Sequence, residues 1–196
     1  MAESPEVRFD PGWYVAELVS TLVIAGDRAR LLERWSVVAE LPLDELLVEL
    51  NVDGPPQRPW APIRNARGPV SRDGTVVDAH GAEVTADDWP ASASGRRIVN
   101  VRLPRPLGPC DLHTFDLTLC VPPSCSFDRH VYVPSVRCRR LELRVHFGRP
   151  GAPSAVSRVD DARSAGGVAE IPVDRAGDVA ATFSDLLPGG TYGLAW

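Results

Sequence analysis

The 196-residue chain is 44% hydrophobic and 24% charged, a balance that excludes intrinsic disorder and lets a core form without disulfides or metals. Its formal net charge of −5 argues against a general affinity for phosphate backbones. All 21 basic side chains are arginine; alongside plentiful alanine, valine and proline this points to a GC-rich bacterial genome rather than to a selected chemistry.

The start, Met1 to Asp10, is acidic and lacks a cationic n-region. The longest apolar stretch, Leu18 to Ala25, is far too short to span a bilayer. The expectation is a cytoplasmic protein with reduced thiols and no membrane contact.

Residues 12 to 51 read as helical. Trp13, Val15, Leu18, Val19, Leu22 and Val23 recur mostly at three- and four-residue spacings, and Gly26-Asp27 supplies a stop followed by an N-cap. Leu31, Leu32, Trp35, Val38 and Ala39 give a second stripe. Pro42 opens a third, carried by Leu43, Leu46, Leu47 and Leu50. Prolines 55, 56, 59, 62 and 69 rule out long regular elements between Asp53 and Gly74, so residues 52 to 74 read as a linker or an irregular wrap.

From Thr75 onward the signal is β. Phe115, Leu117, Leu119 and Val121 alternate with Thr114, Asp116, Thr118 and Cys120. Leu141, Leu143, Val145 and Phe147 alternate with Arg140, Glu142, Arg144 and His146. Arg97 to Leu103 is a further strand, and shorter ones are expected at Arg129 to Val133, Ala169 to Val173, Val179 to Phe183 and Thr191 to Trp196. Evenly spaced short strands with one wet face imply an antiparallel sandwich. The predicted fold class is therefore α+β: a helical unit at 12–51, a Pro-rich linker at 52–74 and a β-sandwich at 75–196.

The run Pro134 to Phe147, with Leu103-Pro104-Arg105-Pro106-Leu107 before it and Phe183 to Trp196 after it, resembles the β-rich C-terminal accessory region of actinobacterial helix-turn-helix regulatory proteins. The resemblance covers residues 97 to 196 and implies a sensing or interaction module. The helix-turn-helix itself does not transfer, because the third predicted helix carries Asp44, Glu45 and Glu49, which phosphates would repel.

Cys110, Cys120, Cys125 and Cys138, with His113 and His130, offer zinc-ligand types without a second tight cysteine pair, so they read as structural thiols. His80 and Glu83 form a His-x-x-Glu in a turn-rich segment and read as a solvated loop. There is no Gly-x-Ser-x-Gly and no glycine-rich phosphate loop. No catalytic residue, metal ligand or cofactor is expected. Arg140, Arg144 and His146 on the most basic strand, and Trp13 and Trp35 at the front, are the candidate partner-binding residues. The expected function is a non-catalytic binding or assembly module of a bacterial regulatory or effector system, acting through a protein partner, self-association or a small ligand. A small hydrolase or metal-dependent enzyme is the alternative. A DNA-associated regulator comes third, since acidic charge disfavours nucleic acid.

Overall fold

Successive side chains of an extended chain point to opposite faces, and that alternation governs the first forty ordered positions. The computed structural model describes residues 11–26, 28–50, 76–77, 83–85, 97–121, 128–148, 151–160 and 169–196. Trp13–Ala25 (β1), Arg28–Ala39 (β2) and Leu43–Leu50 (β3) are strands, and no helix occurs among the described residues. The helical unit expected over 12 to 51, and with it the α+β class, is thereby corrected to an all-strand architecture.

The error has a physical origin. A register shift between Val15 and Glu17 inserts an extra residue into β1, so Val15 and Leu18 both face inward although three apart. That step imitates a helical spacing. On β2 the inward set is Ala29, Leu31, Glu33, Trp35, Val37 and Ala39, a strict period of two. The adjacent pairs Leu31-Leu32 and Val37-Val38 place one apolar residue on each face, which also mimics a helical stripe. The density of β-branched residues in β1 favours the pleated form. Gly26, at φ 63°, opens the two-residue connection between the paired ends Ala25 and Arg28, as a tight hairpin requires.

The later strands fall close to where alternation put them. They are Val76–Val77 (β4), Glu83–Thr85 (β5), Arg97–Leu107 (β6), Leu112–Val121 (β7), Arg129–Tyr132 (β8), Cys138–Phe147 (β9), Ala155–Asp160 (β10), Glu170–Pro172 (β11), Asp178–Leu186 (β12) and Tyr192–Ala195 (β13). β4, β5 and β10 had no individual sequence expectation, and β5 begins at Glu83, expected in a solvated loop. The linker expected at 52 to 74 lies outside the described residues.

Among the described residues the strands form three sheets. The first has the order β12-β9-β1-β2-β7, with β1 and β9 parallel and every other neighbour antiparallel. The second is β11-β10-β13-β8, and the third β3-β6-β5-β4. The inner face of the five-stranded sheet packs on the second sheet: Trp35 meets Tyr132 edge-on at 6.1 Å, Phe183 meets Tyr192 at 5.7 Å, and Phe147 meets Trp196 at 4.9 Å. Leu46, Val48, Val101 and Leu103 carry the same core onto the third sheet. Gly193 of β13 must lack a side chain, because a Cβ there would lie 2.8 Å from the His130 carbonyl oxygen on β8.

β13 is an interior strand whose Tyr192 and Leu194 are buried. Deleting Tyr192 to Trp196 should therefore separate β8 from β10 and cost at least about 3–5 kcal/mol, the loss expected for a large buried aromatic. Thermal unfolding of the shortened chain checks this; an unchanged midpoint would mean that the tail is not integral to the sheet.

Candidate functional site

The alternation that fills the core with apolar side chains also carries three polar ones inward. Ser20 on β1, Glu33 on β2 and His130 on β8 are the buried polar or charged residues among those described. Ser20 and Glu33 are direct cross-strand partners. The Ser20 hydroxyl donates to Glu33 Oε1 at 3.2 Å and lies 3.2 Å from His130 Nε2, while the Trp35 indole N–H donates to Glu33 Oε2 at 3.0 Å. Burial pushes the Glu33 carboxyl up to about 7 despite the lowering effect of its two hydrogen bonds, and burial pulls His130 down to about 4.

A serine, a histidine and a carboxylate together suggest nucleophilic catalysis, but the order is wrong. In a hydrolytic triad the imidazole stands between hydroxyl and carboxylate. Here the hydroxyl stands between the other two, and Ser20 is only 1% exposed, so no substrate reaches it. The cluster is a neutral hydrogen-bonded seam between two sheets. Sequence reasoning missed it because Glu33 was placed on a helix surface. Its signal was present: Ser20 and Glu33 stand at inward positions of the two-residue alternation.

Trp13 and Trp35 are 5% and 2% exposed, and Trp35 stacks on Phe115 at 6.0 Å, so both pack the core. Cys138 is fully buried, with its thiol donating to the Arg140 carbonyl oxygen at 3.3 Å and pushed up to about 12 by burial. Cys110 is exposed and free. Cys125 and His80, and the side chains of Cys120 and Glu83, lie outside the described residues.

Arg140, Arg144 and His146 occupy alternate positions of β9 and project from the outer face of the five-stranded sheet. Each is paired. Arg140 meets Glu17 at 3.3 Å, Arg144 meets Glu142 at 2.7 Å, and His146 Nδ1 lies 2.6 Å from Asp178 Oδ1. Arg34 and Asp116 add a pair at 2.9 Å, and Arg137 and Glu40 one at 2.7 Å. Exposed pairs of this kind contribute under about 1 kcal/mol each; their consequence is a fixed pattern of charge. At one end Arg137 and Arg139 both place their guanidinium carbons 4.5 Å from the Tyr14 ring centroid. At the other, Thr21, Arg144, His146, Asp174 and Asp178 line an open concavity of about 450 Å³. Asp174 Oδ1 accepts the Ala176 and Asp178 backbone amides at 2.8 Å each, and these bonds hold its carboxyl below the usual range.

No protein-family model matches the chain, and no curated protein matches it. Solved structures do. A two-domain M1 zinc metallopeptidase mutant bound to L-tryptophan aligns with a TM-score of 0.51 and 16% identity, over 95% of this chain and 43% of that one. The M1 zinc metallopeptidase of Deinococcus radiodurans gives 0.50 and 16%, over 94% and 42%. A provisionally assigned protease from Parabacteroides distasonis gives 0.52 and 9%, over 94% and 40%. At such identities the likeness is one of fold, and the chain spans less than half the length of these structures.

The described residues offer no match for the zinc named for the M1 metallopeptidases. The 196 residues contain no His-Glu-x-x-His, the helical pattern that supplies two imidazoles and a general base. Among the described residues no three histidine, cysteine or acidic side chains converge as a metal site. No helix among them is long and apolar enough to cross a membrane.

The two opposed shifts in the buried seam yield a pH prediction. Glu33 favours the folded state while protonated, so its contribution is complete below 4.5 and is lost as pH rises through 7. His130 favours the folded state while neutral, so its contribution is complete above 6.5 and is lost as pH falls through 4. In the wild type the two trends offset each other. Glu33→Gln should leave only the histidine, with stability relative to wild type declining toward acid by about 3 kcal/mol. His130→Gln should do the reverse, declining toward neutral pH by a similar amount. Urea unfolding from pH 4 to 8 measures both, and parallel curves for the two variants would contradict the seam.

Proposed function

We propose that the chain is a non-catalytic recognition or assembly module of a bacterial cytoplasmic regulatory or effector system, with the outer face of the five-stranded sheet as its contact surface. The observation that carries this reading is the placement of Arg140, Arg144 and His146. They stand on one row of an exposed sheet face, and two of them line its concavity. Ion pairs immobilise their side chains beforehand, which lowers the ordering cost of binding. The likeness of residues 97 to 196 to accessory regions of regulatory proteins points the same way.

A second reading is favoured by the fold likeness to M1 metallopeptidases: the chain is the β-rich component of a hydrolase whose metal ligands lie elsewhere. Elemental analysis separates the two. Stoichiometric zinc and peptide hydrolysis in the complex that the chain forms in its native host would replace the first reading by the second.

The direct test substitutes the face. An Arg144→Glu/His146→Ala double variant should keep the wild-type unfolding midpoint within a few degrees, since both residues are surface-exposed. It should weaken capture of any specific partner at least tenfold in quantitative pull-downs from the native host. Equal capture by wild type and variant would move the contact surface off this face.

A further inference from the structure

A serine hydroxyl carries one proton, and that of Ser20 has two neighbours to serve. Its oxygen lies 3.2 Å from both Glu33 Oε1 and His130 Nε2. It can donate to one of them while accepting from the other, so the three groups form a directional chain from β2 through β1 to β8. The far end of the chain is fixed. The Trp35 indole N–H can only donate, and it holds Glu33 Oε2 as an acceptor at 3.0 Å. A protonated Glu33 therefore carries its proton on Oε1, the oxygen that faces Ser20.

The chain then has two states. With Glu33 ionised, Oε1 accepts from the Ser20 hydroxyl, whose oxygen accepts in turn from His130 Nε2–H. With Glu33 protonated, Oε1–H donates to Ser20, the hydroxyl turns to donate to Nε2, and the single proton of the neutral imidazole sits on Nδ1. Ionisation releases one proton from Glu33 to solvent, rotates one hydroxyl and moves the imidazole proton from Nδ1 to Nε2 by exchange with water. The histidine stays neutral throughout, because its own protonation lies near 4 while the carboxyl titrates near 7.

The surroundings leave this chain to itself. The bonds of Glu33 run to Ser20 and Trp35, and those of His130 to Ser20. Their cross-strand neighbours are apolar: Leu143 beside Ser20, Leu117 beside Glu33 and Leu194 beside His130. The other titratable or charged side chains on the facing surfaces, among the described residues, stand apart. His113 on β7 and Cys138 on β9 belong to the row of Val37 and Val15, beyond that of Trp35. Tyr132 on β8 meets Trp35 edge-on. Arg158 and Asp160 on β10 are separated from β8 by Leu194 and Tyr192 of β13, and Arg158 donates to the Thr182 carbonyl oxygen at 3.0 Å.

We propose that Ser20, Glu33 and His130 form a proton-ordered switch between two sheets, in which the charge state of Glu33 selects the tautomer of His130 through the Ser20 hydroxyl. The switch gives β8 a donor at Nδ1 in one state and an acceptor there in the other. It is internal, and independent of the contact surface on the outer face.

Two-bond proton–nitrogen correlation spectra of the ¹⁵N-labelled full chain identify the tautomer directly. At pH 5.5 His130 should be neutral and mainly Nδ1–H, and at pH 8.5 mainly Nε2–H, with the exchange centred near the carboxyl's value of about 7. Glu33→Gln should hold the Nδ1–H form at both pH values, because Trp35 claims the amide oxygen and turns the NH2 group toward Ser20. Ser20→Ala should leave one tautomer across the range. An imidazolium at pH 5.5, or the same neutral tautomer at both pH values in the wild type, overturns the switch whatever the variants do. An exchange that survives in Ser20→Ala or in Glu33→Gln removes that residue from the chain and overturns it equally.

Discussion

The hydroxyl of Ser20 is the point on which the arrangement of the sheets turns. It reaches Glu33 on the neighbouring strand and His130 on the opposite sheet, both at 3.2 Å. Each of these groups would be costly to bury alone. The three satisfy one another only when β1 and β2 are in their observed register and β8 lies directly above. A one-residue slip of β2 would turn Glu33 outward and bring Arg34 into the core, so the seam penalises every alternative pairing more strongly than apolar packing alone would. Apolar contacts supply most of the stability, while the polar trio selects which contacts form.

The same register decides the outer face. Once Leu18, Ser20 and Leu22 point inward, Val19, Thr21 and Val23 must point outward, and the parallel neighbour β9 must present Arg140, Glu142, Arg144 and His146 beside them. A parallel strand within an otherwise antiparallel sheet has a further effect. Tyr14 sits opposite the interval between Arg137 and Arg139 and takes both guanidinium groups at 4.5 Å. This arginine–tyrosine cluster is thus a product of strand direction as much as of composition. At the other end, the turn before β12 holds the Asp174 carboxylate in place through two backbone amides.

Much of the C-terminal half was legible in the sequence. In β7 and β9 polar and apolar residues alternate without interruption, and a period of two has one structural reading. The front half was misread because β1 contains a bulge and because both its faces carry apolar residues. A strand whose outer face holds Val19 and Val23 loses the contrast on which periodicity depends. That loss of contrast is itself informative, since the outward apolar residues that hid the strand are the ones that make its outer face suited to contact. The outward placement of Arg140, Arg144 and His146 was legible because they alternate with Leu141, Leu143, Val145 and Phe147. The inward placement of Ser20 and Glu33 was missed because the two-residue alternation that shows it reads there as a helical spacing.

The likeness to M1 metallopeptidases sharpens the functional question. The likeness extends over 95% of this chain and 43% of the M1 structure, and these 196 residues contain no His-Glu-x-x-His. A fold retained without the catalytic motif keeps what the fold itself supplies: a rigid core and flat faces at fixed angles. In this chain the inner face of the five-stranded sheet is consumed by the second sheet, and Trp13 and Trp35, which composition alone would nominate as binding anchors, are spent in that core. The outer face carries the remaining organised chemistry, with four ion pairs and the His146–Asp178 hydrogen bond fixing its side chains in advance. Pre-fixed charge around an apolar strand reduces the entropy lost on contact and penalises mismatched partners through unpaired charge. The pattern of charges on this sheet face is thus set by strand register, and the polar seam beneath it is what keeps that register.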